Sequence, residues 1–167
     1  MKSSLMFDFK VDRKSNQIDV VREFAAPVSS VWAAWTQEEL LDQWWAPKPW
    51  KTETSSMDFR NGGTWLYSMV GPEGERHYSR ADYQSISPEE SFSAIDAFCD
   101  EQGNITKEFP GSKWTVKFSG SGDTTTVKIR IRHESLEDLE KIIAMGFKEG
   151  FTMALENLDE LLLQKKD

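Results

Sequence analysis

The sequence predicts an α+β fold, in which a curved antiparallel sheet of about six to seven strands wraps around one long C-terminal helix. Three observations carry this expectation. From about Ser135 to Lys165 the apolar residues Leu136, Leu139, Ile143, Phe147, Phe151, Ala154, Leu158 and Leu161 recur in steps of three and four, the repeat of one helical face. Between Lys51 and Arg132, apolar residues alternate with polar ones in short runs bounded by turn residues, the period of half-buried strands. Short turns between successive strands make them antiparallel neighbours, and a sheet of that kind needs one face covered. The terminal helix is the available cover. At 167 residues the chain suits a single domain, 1–167, large enough to bury a sizeable core.

At the N-terminal end, Leu5, Phe7, Phe9 and Val11 alternate with polar residues as in a strand. Arg13-Lys14-Ser15-Asn16 reads as a turn, and Ile18 to Phe24 as a second strand. Pro27 then opens a helix, because proline lacks an amide hydrogen that the first turn would leave unpaired anyway. Ser29 to Trp44 reads as two short helices. Val28, Val31, Trp32 and Trp35 share a face of the first. Thr36 is expected to cap the second, with Glu39 completing a capping box, and Leu40, Leu41, Trp44 and Trp45 to form its buried side. Pro47 and Pro49 end it.

Strands are then expected over Lys51 to Phe59, around Trp65, Tyr67 and Met69, over His77 to Ile86, and over Ser91 to Phe98. The intervening turns are Arg60-Asn61-Gly62-Gly63, Gly71-Pro72-Glu73-Gly74 and Ser87-Pro88-Glu89-Glu90. Asp100 to Pro110 is polar and reads as a mobile loop. Trp114, Val116 and Phe118 mark a further strand, Ser119 to Asp123 a turn, and Thr125 to Arg132 the last strand, with Val127, Ile129 and Ile131 on one face. No internal repeat or linker interrupts this order. The final helix, read as one element, would run roughly 45 Å and cross several strands. Its polar side carries Glu140, Lys141, Lys148, Glu149, Glu156, Asp159 and Glu160. Gly146 and Gly150 sit one turn apart on its buried side, where each costs about 1 kcal/mol relative to alanine. They serve either close backbone packing or room for a cavity.

The formal net charge is −8, and no basic run exceeds the pair Lys165 and Lys166. This argues against nucleic acid and anionic membrane surfaces as partners. The single cysteine, Cys99, allows no internal disulfide and fits a reducing compartment. Met1 to Asp8 carries no long apolar core, so no signal peptide is expected, and no stretch approaches a membrane span. A soluble cytoplasmic protein is expected. Six of the seven tryptophans fall from Trp32 to Trp65, a clustering that demands a role.

Four ordered segments carry a family resemblance. They are Arg22-Glu23-Phe24-Ala25-Ala26-Pro27, Val31-Trp32-Ala33-Ala34-Trp35-Thr36, Trp44-Trp45-Ala46-Pro47, and Asp58-Phe59-Arg60-Asn61-Gly62-Gly63-Thr64-Trp65. Together they resemble the C-terminal-domain family of the activator of the heat-shock-protein-ninety ATPase, within the START-like (SRPBCC) superfamily. Gly146-Phe147-Lys148-Glu149-Gly150-Phe151 is similar to that family's Gly-Trp-x-x-x-Leu helix segment, with Phe147 in the aromatic place and Gly150 before the second apolar residue. The resemblance covers residues about 17–162. It implies a helix-grip fold with a deep cavity between sheet and long helix. It does not imply one activity, since the superfamily includes lipid carriers, hormone receptors, aromatic cyclases and hydratases. The eukaryotic activator resembles this chain only in its second domain, and its chaperone-binding domain has no counterpart here. That argues against a chaperone partner.

Candidate site residues follow. Trp44, Trp45, Trp50, Trp65, Tyr67, Trp114, Phe147 and Phe151 could line a pocket, since large rings make rigid walls with polar tips, or could simply fill the core. Trp32 and Trp35 are assigned to the packing of the short helices. Asp58 and Arg60 flank Phe59 and share a strand face, either to orient a polar group or to form a structural ion pair. His77 could be a ligand contact or a general base with Tyr67 or Asp82 as partner, or an exposed strand-end histidine. His133 is expected to be exposed. Cys99 has no neighbouring histidine that would make it a nucleophile. No spacing suggests a metal site, and no phosphate-binding or dinucleotide fingerprint indicates a cofactor.

The leading functional reading is binding of a small apolar or aromatic ligand between sheet and helix. A cyclase-, dehydratase- or hydrolase-like enzyme using Asp58, Arg60, His77 or Tyr67 is the second. A protein-interaction module is the third. Homodimerisation through an edge strand stays open.

Overall fold

A computed structural model of the protein describes residues 5–106 and 111–164. The end of the polar loop, 107–110, and the pair Lys165 and Lys166 lie outside the described residues. Eight strands form one antiparallel sheet: β1 (Phe7–Asp12), β2 (Gln17–Phe24), β3 (Lys51–Met57), β4 (Thr64–Val70), β5 (Arg76–Ser87), β6 (Ser91–Cys99), β7 (Ser112–Ser121) and β8 (Thr124–Arg132). Their spatial order is β1-β2-β8-β7-β6-β5-β4-β3. The N-terminal hairpin therefore pairs with the last strand. The short helices α1 (Val28–Thr36) and α2 (Glu38–Trp44) carry the chain from β2 to the far edge at β3. The fold is the expected α+β grip, with eight strands in place of six or seven.

Register explains why one face is apolar throughout. Ile18 and Val20 of β2 lie opposite Ile131 and Ile129 of β8, which in turn lie opposite Trp114 and Val116 of β7. With a side-chain period of two, aligned strands present these residues to the same side. That side is closed by α1, α2 and the C-terminal helical segment, and the core fills the space between.

The C-terminal segment is not one helix. It divides into α3 (Leu136–Ala144) and α4 (Phe147–Gln164), so the long element spans roughly 27 Å rather than 45 Å. Ser135 caps α3 by accepting a hydrogen bond from the Asp138 amide at 3.1 Å. Gly146 then adopts φ +89°, and its amide donates to the Ile143 carbonyl, which ends α3 with the left-handed residue that helix termini favour. The apolar stripe runs through the break because both helices cover the same sheet face. Asp159, expected on the polar side, is buried 3.9 Å from the Arg22 guanidinium.

Two smaller expectations are also revised. Thr36 does not cap α2. It ends α1, where its hydroxyl donates to the Trp32 carbonyl, and Gln37 stands at the cap with no side-chain bond. The polar loop from Asp100 is an ordered turn as far as Thr106. The Asp100 carboxylate accepts from the amides of Gln102 and Asn104, and the Thr106 amide donates to the Phe98 carbonyl. No helix among the described residues is long and apolar enough to cross a membrane.

Candidate ligand pocket

A pocket of about 270 Å³ lies between the inner face of β4–β8 and the break between α3 and α4. Trp45, Tyr67, Trp114, Phe147 and Phe151 supply its aromatic wall, with His77 at the β5 side. Gly146 and Gly150 form part of its helical side. A methyl group at Gly150 would meet only the Pro47 ring, at 3.7 Å, so neither glycine is there to admit a neighbouring backbone. Their effect is to leave space beside Phe147 and Phe151, whose rings stack 5.2 Å apart.

The aromatic wall is built around Trp45. It follows α2, and its ring lies within 6.2 Å of Trp35, Trp44, Trp65, Trp114 and Phe151. Mostly edge-to-face pairs of this kind are favoured by the ring quadrupole. Its indole N–H donates to the Tyr67 hydroxyl at 3.2 Å. Asn157 of α4 fixes this segment from behind, donating to the carbonyl of Ala46 at 3.0 Å. A buried Asn on the apolar face of a helix was the sequence signal for this contact.

The other candidates divide. Trp44 is core, not wall: it is almost fully buried and its N–H donates to the Ala34 carbonyl. Trp65 stacks on Tyr67 at 4.0 Å and borders a smaller inner void of about 40 Å³. Trp50 lies outside the pocket, against His77 at 5.4 Å. Asp58 and Arg60 form an exposed ion pair beside the β3–β4 turn, and neither lines the pocket. His77 is exposed at the rim. Neither proposed partner bonds to it, since Asp82 is held by Arg80 and Thr64, and Tyr67 by Trp45. Burial pushes the Tyr67 phenol up, out of reach of acid-base work near neutrality.

Two titratable residues of the lining were not expected there from the sequence. Asp96 of β6 sits on the pocket wall. Its Oδ1 accepts from the Ser112 amide at 3.0 Å and the Ser112 hydroxyl at 2.5 Å. The Trp114 indole N–H also favours the charged carboxylate of Asp96. Burial raises its carboxyl to about 6, against the opposing pull of Ser112 and Trp114. His133, expected to be exposed, is buried in the lining, and neither ring nitrogen has a well-formed hydrogen bond. Burial holds its imidazole below the ordinary value, with the Asn16 carbonyl and Asp138 pulling the other way. Parity was the available signal. Asp96 follows Phe92 and Ala94, and His133 follows Ile129 and Ile131, each at steps of two.

A curved antiparallel sheet gripping a C-terminal helix, with a pocket beneath that helix, places the chain in the START-like (SRPBCC) superfamily. Residues 25–163 match the family described as "Activator of Hsp90 ATPase homolog 1-like protein", and the chain belongs to that family. Among solved structures, it is similar to Protein Ms6760 from Mycobacterium smegmatis, with 29% identity, 95% and 96% of the two chains covered, and TM-score 0.86. A protein from Arthrobacter aurescens is 30% identical, over 94% of this chain and 91% of that one, with TM-score 0.89. One from Staphylococcus epidermidis is 26% identical, over 95% and 96%, with TM-score 0.82. No curated protein matches the chain.

Proposed function

We propose that this is a cytoplasmic protein that binds a small apolar or aromatic molecule between the sheet and the α3–α4 break. The observation that carries this is the 270 Å³ of space left among Trp45, Trp114, Phe147 and Phe151. Space of this kind forfeits the contacts that would line a filled interior, so a sequence that keeps it forgoes packing stability. Gly150 keeps it where a larger helix-forming residue would close it. Family membership supports the same reading at the level of the fold. The catalytic alternative has less support, because Asp58 and Arg60 pair at the surface and neither Tyr67 nor Asp82 bonds to His77.

Native mass spectrometry of freshly purified protein, compared with its denatured mass, tests this. Added mass that leaves on denaturation is expected, and it gives the ligand's size. A bare mass, together with no perturbation of Trp45 or Trp114 across a panel of small aromatic compounds, would remove the proposal.

A further inference from the structure

Resting on that reading, we infer that the ligand is a small aromatic or apolar amine, with its ammonium group held by the carboxylate of Asp96 on the pocket wall. Among the described residues, Asp96 is the only acidic side chain of the lining, and no lysine or arginine lines the pocket with it. Its hydrogen bonds come from neutral donors, Ser112 and Trp114. A carboxylate buried without a cation is costly, and an incoming ammonium removes that cost while gaining a charge-assisted bond.

The surroundings select the same chemistry. Trp45 and Trp114 offer electron-rich rings to a cation in a partly dry site. Among the described residues, the groups facing Asp96 from the other elements leave its charge uncompensated. Tyr67 of β4 stays a neutral phenol, His133 after β8 is held neutral by burial, and His77 of β5 sits at the exposed rim. The helical side contributes Phe147, Gly150 and Phe151, none charged. An overall charge of −8 draws cations and repels the anionic amphiphiles that an apolar pocket would otherwise accept.

Titration calorimetry on the intact protein with three matched probes tests this: phenethylamine, phenethyl alcohol and hydrocinnamate. Near neutral pH the amine is expected to bind roughly tenfold more tightly than the alcohol, and the acid most weakly. Asp96→Asn should abolish the preference for the amine over the alcohol. On the unaltered protein, amine affinity should fall as the pH drops through about 6 while alcohol affinity holds, which tests the assignment even if the variant misfolds. Equal binding of amine and alcohol, or a preference that survives both Asp96→Asn and acid, overturns the amine and leaves the pocket as a binding site for neutral molecules. If none of the probes binds, both the amine and the ligand-binding reading fall.

Discussion

Asp96 and His133 face one pocket but respond to acid with opposite sign. A carboxyl raised from 3.8 to about 6 binds its proton more readily in the folded state, so its burial penalty fades as the pH falls through about 6 toward 4. An imidazole held below 6.5 binds its proton more readily in the unfolded state, so stability is lost as the pH falls below 6.5. Asp96→Asn should therefore stabilise the protein by about 1–2 kcal/mol near neutral pH, with the gain gone by about pH 4. His133→Leu should reduce the loss that the parent suffers between neutral pH and mild acid. Urea denaturation across that range reads both, and a flat difference for either variant contradicts the assigned cause. Trp44 acts through packing and a single bond. Trp44→Phe removes the donor to the buried Ala34 carbonyl and should cost about 1–3 kcal/mol, with little change in ligand affinity because its ring does not line the pocket.

Among the elements, the paired glycines separate into two roles. Gly146 lies at φ +89°, where an L side chain is strained, so Gly146→Ala should cost about 1–2 kcal/mol in denaturant unfolding. Gly150 is inside α4 with ordinary helical surroundings, and a methyl there reaches only Pro47. Gly150→Ala should leave stability level or raise it by up to about 1 kcal/mol. The sequence marked both as mid-helix costs and could not tell them apart, because a broken amphipathic segment keeps its stripe when both pieces cover one sheet. The strands were legible for the converse reason: period two survives any curvature. Strand parity also carried Asp96 and His133 inward, but polar type argued for exposure, and Ile95 beside Asp96 competed for the inner face although it is exposed. Trp44 and Trp45 show the remaining limit. Adjacent residues at a helix end shared one composition signal, and only the packing of α4 against that end assigned one to the core and one to the wall.

For the whole molecule, a ligand confined to the folded state must raise its melting temperature. At a hundredfold excess over its dissociation constant it adds about 2.7 kcal/mol, or roughly 5–10 °C for a domain of this size. Differential scanning calorimetry with phenethylamine measures the shift. Gly150→Leu, which places a side chain in the pocket, should cancel the shift while the unliganded protein still melts cooperatively. A shift that persists in that variant would put the binding site elsewhere.

The clustering of indoles around Trp45 has an optical consequence. Trp35, Trp44, Trp65 and Trp114 each lie within 5.8 Å of it, centre to centre. Chromophores so close share their excitation, and their fixed edge-to-face angles make the coupled transitions chiral. The protein therefore carries its own antenna, with the central ring bordering the pocket. Circular dichroism in the aromatic absorption region should show exciton-type bands that collapse in Trp45→Phe, and whatever enters the pocket will change the colour and handedness of a signal gathered from most of the tryptophans at once.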